Sequence, residues 1–314
     1  AGNTYWNLSF DQLNGDYILN ANLDVNNDLS INDGGLDVSA TGCSGSVSCN
    51  ITIGGNLSIA AVDGSFTKRT GTVTFVANDT GNTIATTTES FYNVTFNGSG
   101  GAWDLSDAIT ITNTLTLTNG TFDLNGFSLT MTGATFVNNA TLRLQGGETV
   151  TGLTIDTDTG TVIFDGTSTY TSLPTGNTYY ALTFNGSGGT WTPNGTLTVN
   201  NNLTITAGTY QAGAQSFTIT GTSSITGTLA DNNTGGTNIF VGAVTINSGG
   251  IWNSSVAEDF EFRAGLTNDS SAGFTSGSGT YTFSTNAQTV SGSQSFTITA
   301  LSNTITSSTG LTFS

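Results

Sequence analysis

The sequence repeats itself, and the repeated unit is written in an alternation too short for a helix. FYNVTFNGSGGAWDLSDAITITNTLTLTNGTFDLNGFSLTMTG at residues 91–133 returns without a gap at 179–221 as YYALTFNGSGGTWTPNGTLTVNNNLTITAGTYQAGAQSFTITG, an offset of 88 with about twenty of 43 positions identical. Fainter copies begin with TYWNLSF at 4–10, leading to NNDLSI at 26–31, and with VTINSGGIW at 244–252; GTVTF, GTVIF and GTYTF recur at Gly71, Gly160 and Gly279. Self-similarity of this kind marks stacked copies of one supersecondary unit. We read residues 1–314 as a single continuous array with repeats at about 4–90, 91–178, 179–243 and 244–314.

Inside each unit, apolar pairs separated by one polar residue restart every six or seven positions, as at Ile109/Ile111, Leu115/Leu117, Phe122/Leu124 and Leu129/Met131. A two-residue period places alternate side chains on opposite faces of a strand. The expectation is very short strands joined by tight turns at Asn119-Gly120 and Asn125-Gly126, residue types that tolerate positive φ. Three such strands make a coil of about twenty residues, so the chain holds about fifteen coils, on the order of 70 Å at about 4.8 Å per rung. The fold class is all-β, a parallel β-helix (β-solenoid), right-handed by the rule for parallel crossovers. Tandem β-sandwich domains are the alternative, but their turn signals come every 8–12 residues.

Composition agrees with stacking. The chain carries about sixty Thr and 42 Gly, against only two Pro. Thr favours strands, and it avoids the repulsion of about 0.9 kcal/mol that two like charges about 4.8 Å apart feel even in water. In LTLT at 115–118, Leu points inward and Thr outward. The same composition excludes function classes. Four basic residues against 21 acidic ones, a formal charge of −17, leave nothing to neutralise nucleic-acid phosphates. The absence of His removes Ser-His-Asp and Cys-His mechanisms and the usual zinc sites. No apolar run reaches the length of a membrane span, and an N-terminus at Ala1-Gly2 suits a secreted chain after signal-peptide removal. Cys43 and Cys49 are close enough to close a short loop by a disulfide in an oxidising compartment, with two buried thiols as the alternative.

Three motifs invite a chemical reading. DVNNDLSINDGG at 24–35 sets Asp24, Asn26 and Asp28 at the first alternating positions of a calcium loop, but Leu29 stands where Gly is needed and Gly35 where a bidentate acid is needed. No cofactor is expected, with structural calcium here as the exception to test. Glu258, Asp259, Glu261 and Asp269 gather near Arg263, yet in EDFEFR the alternation turns Phe260 and Phe262 inward and leaves Asp259, Glu261 and Arg263 to solvent, so no enzyme is expected. Trp103, Trp191 and Trp252 each follow a Gly-rich turn; exposed in a row they stack on sugar rings, buried they fill coil corners. Asn-x-Ser/Thr acceptors, including Asn7, Asn56, Asn93, Asn97, Asn119, Asn185 and Asn202, are frequent in a chain this rich in these residues.

The units YYALTFNGSGGTW, LTVNNNLTI and GTFDLNGFSLTMTG resemble repeats of bacterial adhesin-like surface proteins with the right-handed β-helix of filamentous-haemagglutinin-type passengers. The resemblance implies an extracellular structural or adhesive role. Strand patterns reach TYWNLSF at one end and GLTFS at the other, so Tyr5, Trp6, Leu8, Phe10, Leu311 and Phe313 are expected to line open coil faces. Head-to-tail contacts through such faces build filaments. The expected function is a non-enzymatic subunit of an extracellular filament or surface layer, with itself as partner; a glycan-binding adhesin is the alternative.

Overall fold

The computed structural model describes residues 3–38, 43, 48–232, 236–285, 287–294, 304–307 and 311–314, with side chains undescribed at 61, 304–307 and 311. The chain is all-β and winds as a parallel β-solenoid of about 13 turns. It divides into unit 1, Ala1–Leu144 with Glu148–Asp156, and unit 2, Gln145–Gly147 with Thr157–Ser314. Among the described residues, no helix is long and apolar enough to cross a membrane.

Unit 1 has three strand faces. The first runs through Thr4–Tyr5, Leu23–Val25, Ile51–Ile53, Thr72–Phe75 and on into 93–96, 114–117 and Thr135–Asn138, each rung parallel to the next. Val25, Ile53, Phe75, Phe96 and Leu117 form one inward column of that face, all at most 1% exposed. Outward positions of the same rungs carry Thr52, Thr74, Thr95 and Thr116. The alternation read from LTLT therefore holds: Leu115 and Leu117 are in the core and Thr118 is exposed.

Unit 2 repeats the plan. Thr161–Phe164, 181–184, 203–205, Ser223–Ile225, Val244–Ile246 and Leu266–Asn268 stack as one face. A second runs through 209–211, Thr228–Asp231, Ile251–Ser254 and Phe274–Thr275, and a third through Leu197–Val199, Phe217–Ile219, Thr237–Phe240, Asp259–Phe262 and Thr280–Phe283. Aromatic rings stack along the winding axis, as in Phe164–Phe184–Tyr210 at 5.8 and 5.3 Å and Phe240–Phe262–Phe283 at 5.5 and 5.2 Å.

Two expectations are corrected. The strands are not all short: Ser90–Leu105 and Ile109–Asp123 run 16 and 15 residues, bending past corners by register shifts, so Asn119-Gly120 lies inside a strand while Asn125-Gly126 is a true turn. Continuing the ladder around a corner keeps more backbone groups paired than breaking it. Turns are also longer than twenty residues in places. Leu8 to Leu29 is a 21-residue step, whereas Leu29 to Leu57 takes 28, and the longer step contains Cys43 and Cys49.

Candidate functional site

Two of the Gly-rich segments, inside the strands Ser90–Leu105 and Ala181–Trp191, are sockets for tryptophan. Trp103, Trp191 and Trp252 are all 0% exposed, which removes them as a sugar-stacking platform. A Cβ on Gly98 would collide with the Ala77 carbonyl and come within 2.9 Å of Trp103 Cη2; on Gly189 it would collide with the Gly166 carbonyl and reach 2.5 Å from Trp191 Cη2. NGSGG thus lets the backbone of one rung close over the indole two residues after its last glycine and onto the rung before it. Burial of an apolar body of this size outweighs any gain from leaving it in water. The three indoles differ at nitrogen. Trp191 Nε1 donates to the Gln145 carbonyl at 2.9 Å and Trp252 Nε1 to Tyr281 Oη at 3.2 Å, whereas Trp103 Nε1 has no acceptor.

The outer surface is a set of self-satisfied polar ladders. Asn27 Nδ2 donates to Asn7 Oδ1 at 2.9 Å, Asn119 to Asn97 at 2.8 Å, and Asn113 to Asn93 at 2.7 Å. Asn202 Oδ1 accepts from both the backbone and hydroxyl of Thr222. Several Asn-x-Ser/Thr acceptors are therefore rung-to-rung braces. In the calcium-loop motif, Asp28 Oδ1 accepts the Asn56 backbone and side-chain amides at 2.9 and 2.8 Å, and Asp24 is exposed on its strand. Among the described residues, no group of three or more His, Cys, Asp or Glu side chains is placed to hold a metal ion.

Like charges do stack, against expectation, and Asp104 lies in register with Asp123. Asp11, Asp33 and Asp63 are in register on three successive rungs of unit 1. Solvent screens Asp11 and Asp63, both exposed, and Ser9 and Asn32 donate to Asp11 at 2.7 and 2.6 Å, holding its carboxyl below the usual range. The basic side chains are committed: Lys68 donates to Ser90, Arg69 forks onto Asp37, Arg143 reaches Asp123 at 3.4 Å, and Arg263 forks onto Glu261. In EDFEFR, Phe260 and Phe262 are buried as read, Asp259 accepts the Thr280 amide, and Asp269 accepts the Ser293 amide. Glu258 departs from the surface cluster and is 0% exposed. Its place two residues before Phe260, on the inward parity of the strand, was the available signal.

The disulfide between Cys43 and Cys49 is formed, with Cα atoms 5.3 Å apart. The outer rung of unit 1 offers a different kind of site. Among the described residues, Thr4–Tyr5 pairs only with Leu23–Val25, and Leu8–Ile18 only with Leu29–Asp37. Its outer edge presents backbone groups beside Tyr5, 40% exposed, Trp6, 69%, and half-buried Leu8 and Phe10. Phe10 packs on Tyr17 at 4.5 Å. Leu13, Ile18 and Val62 are exposed as well, unanticipated because the alternation slips at the bulged Asn/Asp-Gly corners. In unit 2, Leu311–Phe313 pairs with 288–290, and Phe313 is 66% exposed; the Leu311 side chain lies outside the described set.

Comparisons with protein-family models, with curated proteins and with solved structures find no match. The resemblance to filamentous-haemagglutinin-type repeats rests on the repeat pattern and the solenoid alone.

Proposed function

We propose that the chain is a non-enzymatic structural subunit of an extracellular filament or surface layer, assembling through the edges of its outer rungs. The observation that carries this reading is the first rung of unit 1, which among the described residues is paired along one edge only and has an apolar margin of Tyr5 and Trp6. Such an edge takes a further parallel strand of the same pitch. A second copy supplies one at Leu311–Phe313, beside exposed Phe313. Because the two edges are different surfaces, the contact is head-to-tail and propagates. The Cys43–Cys49 disulfide suits an oxidising, extracellular setting. Support also comes from the polar ladders, whose side chains are spent on neighbouring rungs, and from the engagement of every basic side chain. The adhesin alternative loses its aromatic platform to the core.

Trp6→Asp tests the reading by placing a charge on the edge without touching the core. Wild-type protein is expected to form filaments in electron micrographs and to sediment faster as concentration rises, while Trp6→Asp stays monomeric with the same thermal unfolding. Wild-type protein that remains monomeric at every concentration and salt, or filaments indifferent to Trp6→Asp and Phe313→Asp together, would overturn it.

A further inference from the structure

Unit 2 encloses two acids. Asp231 is 1% exposed and Glu258 0%, and both lie at the corner between the second and third faces. Asp231 sits in register with Ser254 on the rung that follows, and Glu258 precedes the strand Asp259–Phe262, its Oε1 within 3.0 Å of where a Cβ on Gly236 would stand. The glutamate thus reaches back one rung toward the aspartate. Asn238, itself 0% exposed, ties them together: its Nδ2 donates to Asp231 Oδ2 at 2.5 Å and to Glu258 Oε1 at 3.2 Å, while its Oδ1 accepts the Phe217 amide at 3.0 Å. Held by one nitrogen, the two carboxyl oxygens are less than about 6 Å apart.

We propose that Asp231 and Glu258 share one proton at neutral pH, making this corner a proton-binding site inside the solenoid. Two carboxylates this close in a dry interior do not both ionise, and the pair titrates as one system. The single cationic side chain of unit 2, Arg263, points to the surface and pairs with Glu261. A second observation marks the corner as built around a charge. The Tyr210 hydroxyl is fully buried and, among the described residues, makes no hydrogen bond; burial first, then the charges of Asp231 and Tyr179, push its ionisation far above the ordinary tyrosine value. From the rungs above, Tyr281 faces the corner, neutral through burial, its hydroxyl donating to the Ser276 carbonyl and accepting from Trp252 Nε1. Asp259 and Glu261, the other charged neighbours on the Glu258 segment, face outward.

The sign follows from the shared proton. The folded pair releases it at higher pH than the unfolded carboxyls, whose ordinary values are about 4. Its stabilisation is complete below that value and is lost as pH rises through the folded one. Infrared difference spectroscopy of the wild-type protein should show a protonated carboxyl band at neutral pH that disappears in Glu258→Gln and in Asp231→Asn. The urea midpoint of wild type should fall as pH rises above about 4, and Glu258→Gln should flatten that fall. Glu261→Gln is the control of opposite sign, because Arg263 and Ser284 hold the Glu261 carboxyl below its usual range and its contribution is lost as pH falls. No protonated carboxyl in wild type at neutral pH, or an unchanged midpoint slope in Glu258→Gln, overturns the proposal; the infrared measurement on wild type decides even if a variant does not fold.

Discussion

At Trp103 and Trp191 the same residue in the same repeat position meets two different environments. Both indoles are shut beneath glycines that cannot carry a side chain, so replacing either with Phe leaves a comparable void. Only Trp191 also makes a hydrogen bond, to the Gln145 carbonyl, which accepts the Gly166 amide as well. Trp191→Phe is therefore expected to cost about 1 kcal/mol more than Trp103→Phe, because one hydrogen bond is lost in the first case, the Gln145 carbonyl keeping the Gly166 amide, and a buried donor without an acceptor is removed in the other. Urea unfolding of the two variants measures the difference; equal losses, or a greater loss at Trp103, contradict the assignment. Which side chains point inward was legible at this scale, since parity along LTLT or DFEF needs no tertiary information. The partner of each buried polar atom was not, because Gln145 and Trp191 are 46 residues apart and meet only through winding.

Among the elements, the turn from Leu29 to Leu57 is one of the long ones, and it carries the disulfide. The step before it, Leu8 to Leu29, needs 21 residues and the step after it, Leu57 to Ile84, needs 27, and the bonded Cys43 and Cys49 fall within its 28. Closing a loop this short by a disulfide stabilises the folded state by about 2–3 kcal/mol, chiefly by restricting the unfolded chain. Replacing Cys43 and Cys49 with Ser should lower hydrogen-exchange protection at Leu23–Val25 and Ile51–Ile53, which flank the loop, and leave Leu197–Val199 in unit 2 unchanged. A uniform loss across both sets would show that the loop is not a local brace. Turn residues alone had marked Asn119-Gly120 as a break between strands. The neighbouring rungs keep pairing through it, at Asn97↔Asn119 and Thr121↔Ala102, and convert it into a bulge.

For the whole molecule, charge opposes self-association and salt removes the opposition. Copies bearing −17 each repel one another, whereas strand pairing and burial of Trp6 and Phe313 depend little on ionic strength. Screening shortens from about 30 Å at 0.01 M salt to about 3 Å at 1 M. Light scattering should therefore show the onset of assembly moving to lower protein concentration as salt rises; an onset that moves the other way would mean that ion pairs, and not strand edges, join the copies. The sequence by itself determined that the chain is a parallel solenoid with Leu, Ile and Phe inside and Thr outside, because a two-residue alternation restarted at each corner has few other ways to bury its apolar half. The tertiary structure alone decided that the tryptophans are core, that three aspartates stack on the surface, and that Asp231 and Glu258 meet at one amide. Those outcomes depend on which residues lie one rung apart, a distance of 19 to 30 positions set by the length of each turn, and no local pattern carries that length.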